Sequence, residues 1–227
     1  MFIEINGLQM HYEVWGEGEP LIMVHGNGGS LTIFYAAAEI LQEYFSCYLI
    51  DLRGHGESED VEDLRYEWMA DDINTFIEEL GLAPVNYYGF SDGGNIGLIA
   101  ASRCPDYYKS LIVSGACMNP HGAKGGVYRD IKYNSDWDDP KVRLLLFQPH
   151  ITNADLRRIT AHSLVLAGQY DLITREHTLR IGHQIPDCRV KILRGEGHGS
   201  YVENNPKLAR ILLRFLRPEL FRNEKEQ

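Results

Sequence analysis

Val85-Asn86-Tyr87-Tyr88-Gly89-Phe90-Ser91-Asp92-Gly93-Gly94 is the stretch that decides the fold. Val85–Tyr88 has the β-branched and aromatic content of a buried strand, and Gly89 to Gly93 spells Gly-x-Ser-x-Gly. A strand that turns sharply into a helix lifts such a serine above a sheet in a strained conformation, so the neighbouring positions must lack a Cβ. By chance the five-residue pattern turns up in about one chain in ten of this length. Its context carries the weight: an apolar run precedes it, and Asn95 to Arg103 reads as a helix closed by Pro105.

Working outward, the same rhythm repeats. On the N-terminal side, Phe2–Ile5 and Met10–Trp15 flank Asn6-Gly7, a hairpin signal. Leu21-Ile22-Met23-Val24 runs into His25-Gly26-Asn27-Gly28-Gly29-Ser30, and a helix is predicted over 31–45 with Ser30 or Thr32 as its cap. Cys47–Ile50 ends in Asp51-Leu52-Arg53-Gly54-His55-Gly56-Glu57-Ser58. Residues 66–80 place Trp68, Met69, Ile73, Phe76, Ile77 and Leu80 on one helical face, stopped by Gly81. On the C-terminal side, strands are predicted at Ser110–Ser114, Leu164–Ala167 and Arg189–Leu193, with helices near 176–184 and from Pro206 to Leu216. Apolar runs alternating with amphipathic helices predict an α/β fold with a mostly parallel central sheet and helices on both faces. Residues 119–160 break the rhythm, and about 119–150 read as a small cap insert, with Gly122-Ala123-Lys124-Gly125-Gly126 as a flexible joint. The expectation is a single domain over 1–227 with a frayed tail from Arg222.

Composition excludes several functions. Lys+Arg 22 against Asp+Glu 32 gives a formal net charge of −10, the opposite of a nucleic-acid-binding or polybasic membrane surface. No apolar run has the length of a membrane span or a signal segment, so a cytoplasmic protein without membrane insertion is expected. The four cysteines lie far apart, without metal-site or redox spacing, and no cofactor loop is present. Neither a metal nor an organic cofactor is expected.

A serine nucleophile needs a base, an orienting acid and an oxyanion site. Ligands in such sheets sit beyond the carboxyl ends of the strands. Of nine histidines, His11 and His162 fall at the wrong ends, while His177 and His183 fall on a helix. His198 follows the last strand in Gly195-Glu196-Gly197-His198-Gly199 and is the candidate base; His25 reads as a turn-fixing residue. Asp171, in Gly168-Gln169-Tyr170-Asp171, is the candidate acid, whereas Gly115 to Asn119 offers none. Asp51 reads as structural. The oxyanion donors are expected to be the backbone N–H of Asp92 and of Asn27, with Gly28 as the alternative to Asn27. Met118, Tyr128, Tyr133, Trp137 and Phe147 are the candidate pocket residues; core packing in the insert is the competing explanation for each.

These motifs, in this order from Met1 to about Leu216, resemble the α/β-hydrolase fold superfamily. The resemblance implies a catalytic triad of Ser91, Asp171 and His198, and a serine hydrolase acting on a small carboxylic ester or related acyl substrate through an acyl-enzyme. Epoxide hydrolases and dehalogenases of this fold carry an aspartate nucleophile, unlike position 91, and peroxidase-like members usually carry methionine where Asp92 stands. Two alternatives stay open. One is a ligand receptor or signalling protein that keeps the fold with little turnover. The other is a C–C bond hydrolase, whose anionic substrate would call for an arginine such as Arg53 or Arg129.

Overall fold

The computed structural model describes residues 1–222; the last part of the tail read as frayed, 223–227, lies outside the described residues. Eight strands form one sheet: β1 (Phe2–Ile5), β2 (Leu8–Trp15), β3 (Pro20–Val24), β4 (Ser46–Ile50), β5 (Val85–Phe90), β6 (Tyr108–Ser114), β7 (His162–Tyr170) and β8 (Cys188–Gly197). Their spatial order is β1-β2-β4-β3-β5-β6-β7-β8. The β1–β2 and β2–β4 pairs are antiparallel, and every other neighbouring pair is parallel.

The central strands are buried on both faces, as parallel strands flanked by helices must be. All six residues of β5 are buried. Period-two alternation divides the side chains between two cores. Ile22, Val24, Tyr87, Leu111, Val113 and Val165 point to one layer, where α2 (Tyr66–Glu79), α3 (Asp92–Arg103) and α7 (Arg175–Gln184) pack. Leu21, Met23, Tyr88, Ile112, Leu164 and Leu166 point to the other, against α1 (Tyr35–Leu41) and α8 (Lys207–Leu216). The predicted helix over 31–45 is shorter, because a 3-10 turn at Leu31–Phe34 precedes α1. Trp68 departs from its predicted face. It is 41% exposed, with the guanidinium groups of Arg65 and Arg53 at 4.8 and 5.9 Å from its ring.

The connection after β3 leads through α1 to β4 on one side, and the connection after β5 leads through α3 to β6 on the other. Adjacent strands whose exits diverge leave a crevice at their carboxyl ends. Asn27 and Ser91 both lie there.

Between β6 and β7 the chain forms α4 (Gly125–Asn134), α5 (Pro140–Phe147) and α6 (Asn153–Arg157). Residues 122–126 are not a free joint. Ala123 bridges Ile173, the Lys124 N–H donates to the Leu172 carbonyl at 2.8 Å, and the Thr174 N–H donates to the Gly122 carbonyl at 2.9 Å. The root of the insert is thereby tied to the segment that follows Asp171.

Candidate active site

Ser91 sits at φ 53°, ψ −112°, between the end of β5 and the first turn of α3. Two glycines make that turn sterically feasible. A Cβ on Gly89 would stand 2.1 Å from the Gly93 carbonyl oxygen, and one on Gly93 would stand 2.1 Å from the Val24 carbonyl oxygen. The Ser91 N–H donates to the Ser114 carbonyl at 2.8 Å and the Gly93 N–H to the His25 carbonyl at 3.0 Å, pinning the elbow to both neighbouring strands.

Strand register brings the other two residues together. Tyr170 of β7 pairs with Gly197 of β8, so the next residues, Asp171 and His198, leave the sheet edge side by side. His198 Nδ1 lies 2.7 Å from Asp171 Oδ1, and its Nε2 lies 3.0 Å from Ser91 Oγ. Asp171 is 2% exposed, which by itself opposes its charged form. The bond to His198 and the N–H donors of Ile173 and Gly168, each at 3.0 Å, outweigh that cost and hold it below its ordinary value. The Phe90 ring packs 5.0 Å from the His198 ring, and the bare Cα of Gly115 leaves room for that imidazole.

The N–H groups of Asn27 and Asp92 donate to no group among the described residues. Asp92 opens α3, where backbone N–H groups lack helical partners and the helix dipole favours negative charge. Asn27 lines the cavity over Ser91, whereas Gly28 faces a separate groove. Side-chain bonds hold Asn27 in place: its Nδ2 donates to Asp92 Oδ2 at 2.9 Å and to the Lys141 carbonyl of α5 at 3.2 Å. Asp92 accepts a second bond, from the Tyr66 hydroxyl to Oδ1 at 2.6 Å. Burial pushes the Asp92 carboxyl up, and these two donors offset part of the rise.

Two flanking loops are cross-braced by buried polar groups. His25 is fully buried; its Nδ1–H donates to the Gly26 carbonyl at 2.7 Å, and its Nε2 accepts the Leu52 N–H at 3.2 Å. Burial pulls its pKa down to about 4, which matches a neutral ring that donates at one nitrogen and accepts at the other. Asp51 accepts from the N–H groups of Leu31 and Glu57 and from His11 Nδ1.

The cavity over Ser91 has a volume of about 280 Å³. Of the five aromatic or sulfur side chains expected to line it, only Tyr128 does. Met118 is buried in the α2–α3 core layer, and its N–H donates to His177 Nε2 at 2.8 Å. Tyr133 is 72% exposed on the outer face of α4. Trp137 and Phe147 pack edge-to-face on each other, half-exposed on the outside of the insert. The apolar wall is made instead by Val127 and Ile131, one helical turn apart on α4, with Leu145, Leu172 and Ile173. The period-four spacing of Val127 and Ile131 was available in the sequence as a signal. Tyr66 and Asn95 gave none, because their place depends on helices that meet only in the fold. Neither arginine considered for an anionic substrate lines the cavity. Arg53 is paired with Asp72, with Nε–Oδ2 at 2.5 Å and Nη2–Oδ1 at 2.6 Å, and Arg129 donates to Gly125 on the exposed side of α4.

A sheet of this order, with a serine on the β5 elbow, defines the class. The family model of the alpha/beta hydrolase fold matches residues 19–152, and the chain belongs to that family. A Haemophilus influenzae protein named for esterase/lipase activity is 25% identical over 239 residues, covering 86% of this chain and 82% of that protein. The N-formylmaleamate deformylase of Pseudomonas putida is 25% identical over 236 residues, covering 86% and 88% respectively. Among solved structures, an esterase from Exiguobacterium antarcticum superimposes with a TM-score of 0.81 at 21% identity, covering 95% of this chain and 98% of that one. No helix among the described residues is long and apolar enough to cross a membrane.

Proposed function

We propose that this protein is a serine hydrolase that cleaves a small carboxylic ester, or a related acyl substrate, through an acyl-enzyme. The observation that carries this reading is the Ser91–His198–Asp171 chain of contacts at 3.0 and 2.7 Å, on a strained elbow that opens into a cavity. The names of the similar proteins, an esterase/lipase and a deformylase, support acyl hydrolysis as the class of reaction.

In this reading His198 Nε2 takes the proton of Ser91 Oγ as the oxygen attacks the acyl carbon. Asp171 holds the Nδ1–H tautomer and stabilises the imidazolium that forms. The N–H groups of Asn27 and Asp92 receive the oxyanion, each worth about 3 kcal/mol in the transition state. His198 then returns its proton to the departing alcohol. Water enters, loses a proton to His198 and attacks the acyl-enzyme, and Ser91 leaves with the proton returned.

The test is labelling with a fluorophosphonate, followed by mass spectrometry of the modified peptide. Rapid modification at Ser91 alone is expected, and Ser91→Ala should abolish both labelling and ester turnover with its melting curve retained. A well-folded wild-type protein that resists the probe would overturn the proposal in favour of a receptor. Esters of increasing acyl length would then define the substrate.

A further inference from the structure

The cavity over Ser91 is one-sided in charge. Among the described residues its lining contains two carboxylates, Asp92 and Glu203, and neither a lysine nor an arginine. The two carboxylates are not equivalent. Asp92 is buried, with one oxygen taken by the Tyr66 hydroxyl and the other by Asn27 Nδ2. Glu203 is exposed, and its carboxylate has no hydrogen bond or ion pair among the described residues. It also lies close to the reacting groups. A Cβ on Gly199, the residue after His198, would stand 2.4 Å from Glu203 Oε1, so the carboxylate rests against the loop that holds the imidazole. Phe90 and Tyr128 line the same space, so the wall around Glu203 is otherwise uncharged. The two arginines considered for an anionic substrate are committed elsewhere, Arg53 to Asp72 and Arg129 to the α4 backbone. The net charge of −10 adds a long-range field of the same sign.

We propose that this site selects substrates bearing a positive charge, an ammonium-carrying ester, with Glu203 as the residue that confers the preference, and that it discriminates against esters carrying a carboxylate. The proposal rests on the serine-hydrolase reading and names the substrate class for it. An incoming carboxylate would lose its water against Glu203 with no donor cation to receive it, whereas an ammonium group finds an uncommitted carboxylate. Because Glu203 is exposed, its single contribution is modest, about fivefold in affinity, and it is screened by salt.

The experiment compares three butyrate esters of similar size: choline butyrate, its uncharged carbon isostere dimethylbutyl butyrate, and carboxypropyl butyrate. Efficiency (kcat/KM) on the wild-type protein is expected to fall in that order, with the cationic ester leading the anionic one about tenfold at low salt and the gap narrowing at high salt. Glu203→Gln should cut the cationic-to-neutral ratio about fivefold, and Glu203→Lys should invert the cationic-to-anionic order. Binding of the same esters to Ser91→Ala by calorimetry reads the preference without turnover. If wild-type protein hydrolyses none of the esters while Ser91→Ala still binds them in the stated order, the charge preference stands and the hydrolase reading falls. Equal efficiency on all three esters, or a cationic-to-neutral ratio unmoved by Glu203→Gln, would overturn the charge preference alone.

Discussion

Gly115→Ala isolates the geometry of His198 from the stability of the fold. Gly115 lies just beyond β6 at φ 61°, and its Cα faces the imidazole. A methyl there would stand 2.5 Å from His198 Cε1 and 2.8 Å from Nδ1. Ordinary contact between such atoms begins near 3.5 Å, so the ring must retreat by about 1 Å. It cannot do so and keep both the 2.7 Å bond to Asp171 and the 3.0 Å approach to Ser91. A displacement of that size at a reacting group costs about a hundredfold in rate. The alanine also bears the strain of a left-handed conformation, about 1 kcal/mol. Gly81→Ala is the matched control, because Gly81 has the same φ of 61° and nothing within 4 Å of its would-be Cβ. Both variants should lose about 3 °C in Tm, since a chain of this size shifts by a few degrees per kcal/mol. Only Gly115→Ala should lose activity on a chromogenic butyrate ester and react slowly with the fluorophosphonate. If its kcat/KM stays within about threefold of the Gly81→Ala value, the imidazole does not need its observed position and the mechanistic reasoning fails.

Two further outcomes follow from buried titratable groups. His25 titrates near 6.5 when unfolded and is pulled down to about 4 in the fold, so the unfolded chain binds the extra proton between those values. Its contribution to stability is complete above pH 6.5 and is lost as pH falls toward 4, about 3 kcal/mol in all. Denaturant melts of wild type and His25→Gln across this range should show a shallower pH slope in the variant; parallel slopes would exclude His25 as the source. Arg53→Met should destabilise the protein by about 3 kcal/mol by leaving the buried Asp72 carboxylate without its counter-charge, with only the Asn6 amide still donating to it. Arg53→Met with Asp72→Asn should recover part of that loss, and failure to recover any would mean that the pair is not the source.

The architecture was legible because its cues are local. The central parallel strands announce themselves as apolar runs with a glycine in the turn that follows, and turn residues that the backbone requires, such as Gly89 and Gly93, stand within two residues of the one they serve. The order Ser91, Asp171, His198 follows from the same cue, since each lies just past a strand whose carboxyl end faces the crevice. Pocket lining was not legible in this way. Aromatic identity says that a side chain will seek burial or a partner, but not which helix face will turn inward. Tyr133, Trp137 and Phe147 therefore point outward while Val127 and Ile131 form the wall. Trp68 likewise satisfied its ring with two guanidinium groups at the surface instead of joining the core. The remaining decisions join residues far apart in the chain: Tyr66 to Asp92, Asn27 to α5, Gly122 to Thr174, and Glu203 to the cavity mouth. No local propensity encodes such contacts. The sequence by itself determined the strands, the turns and the order of the chemical groups, because these depend on sterics and periodicity within a few residues. Tertiary structure alone decided the shape and charge of the cavity, because these depend on how separate elements dock.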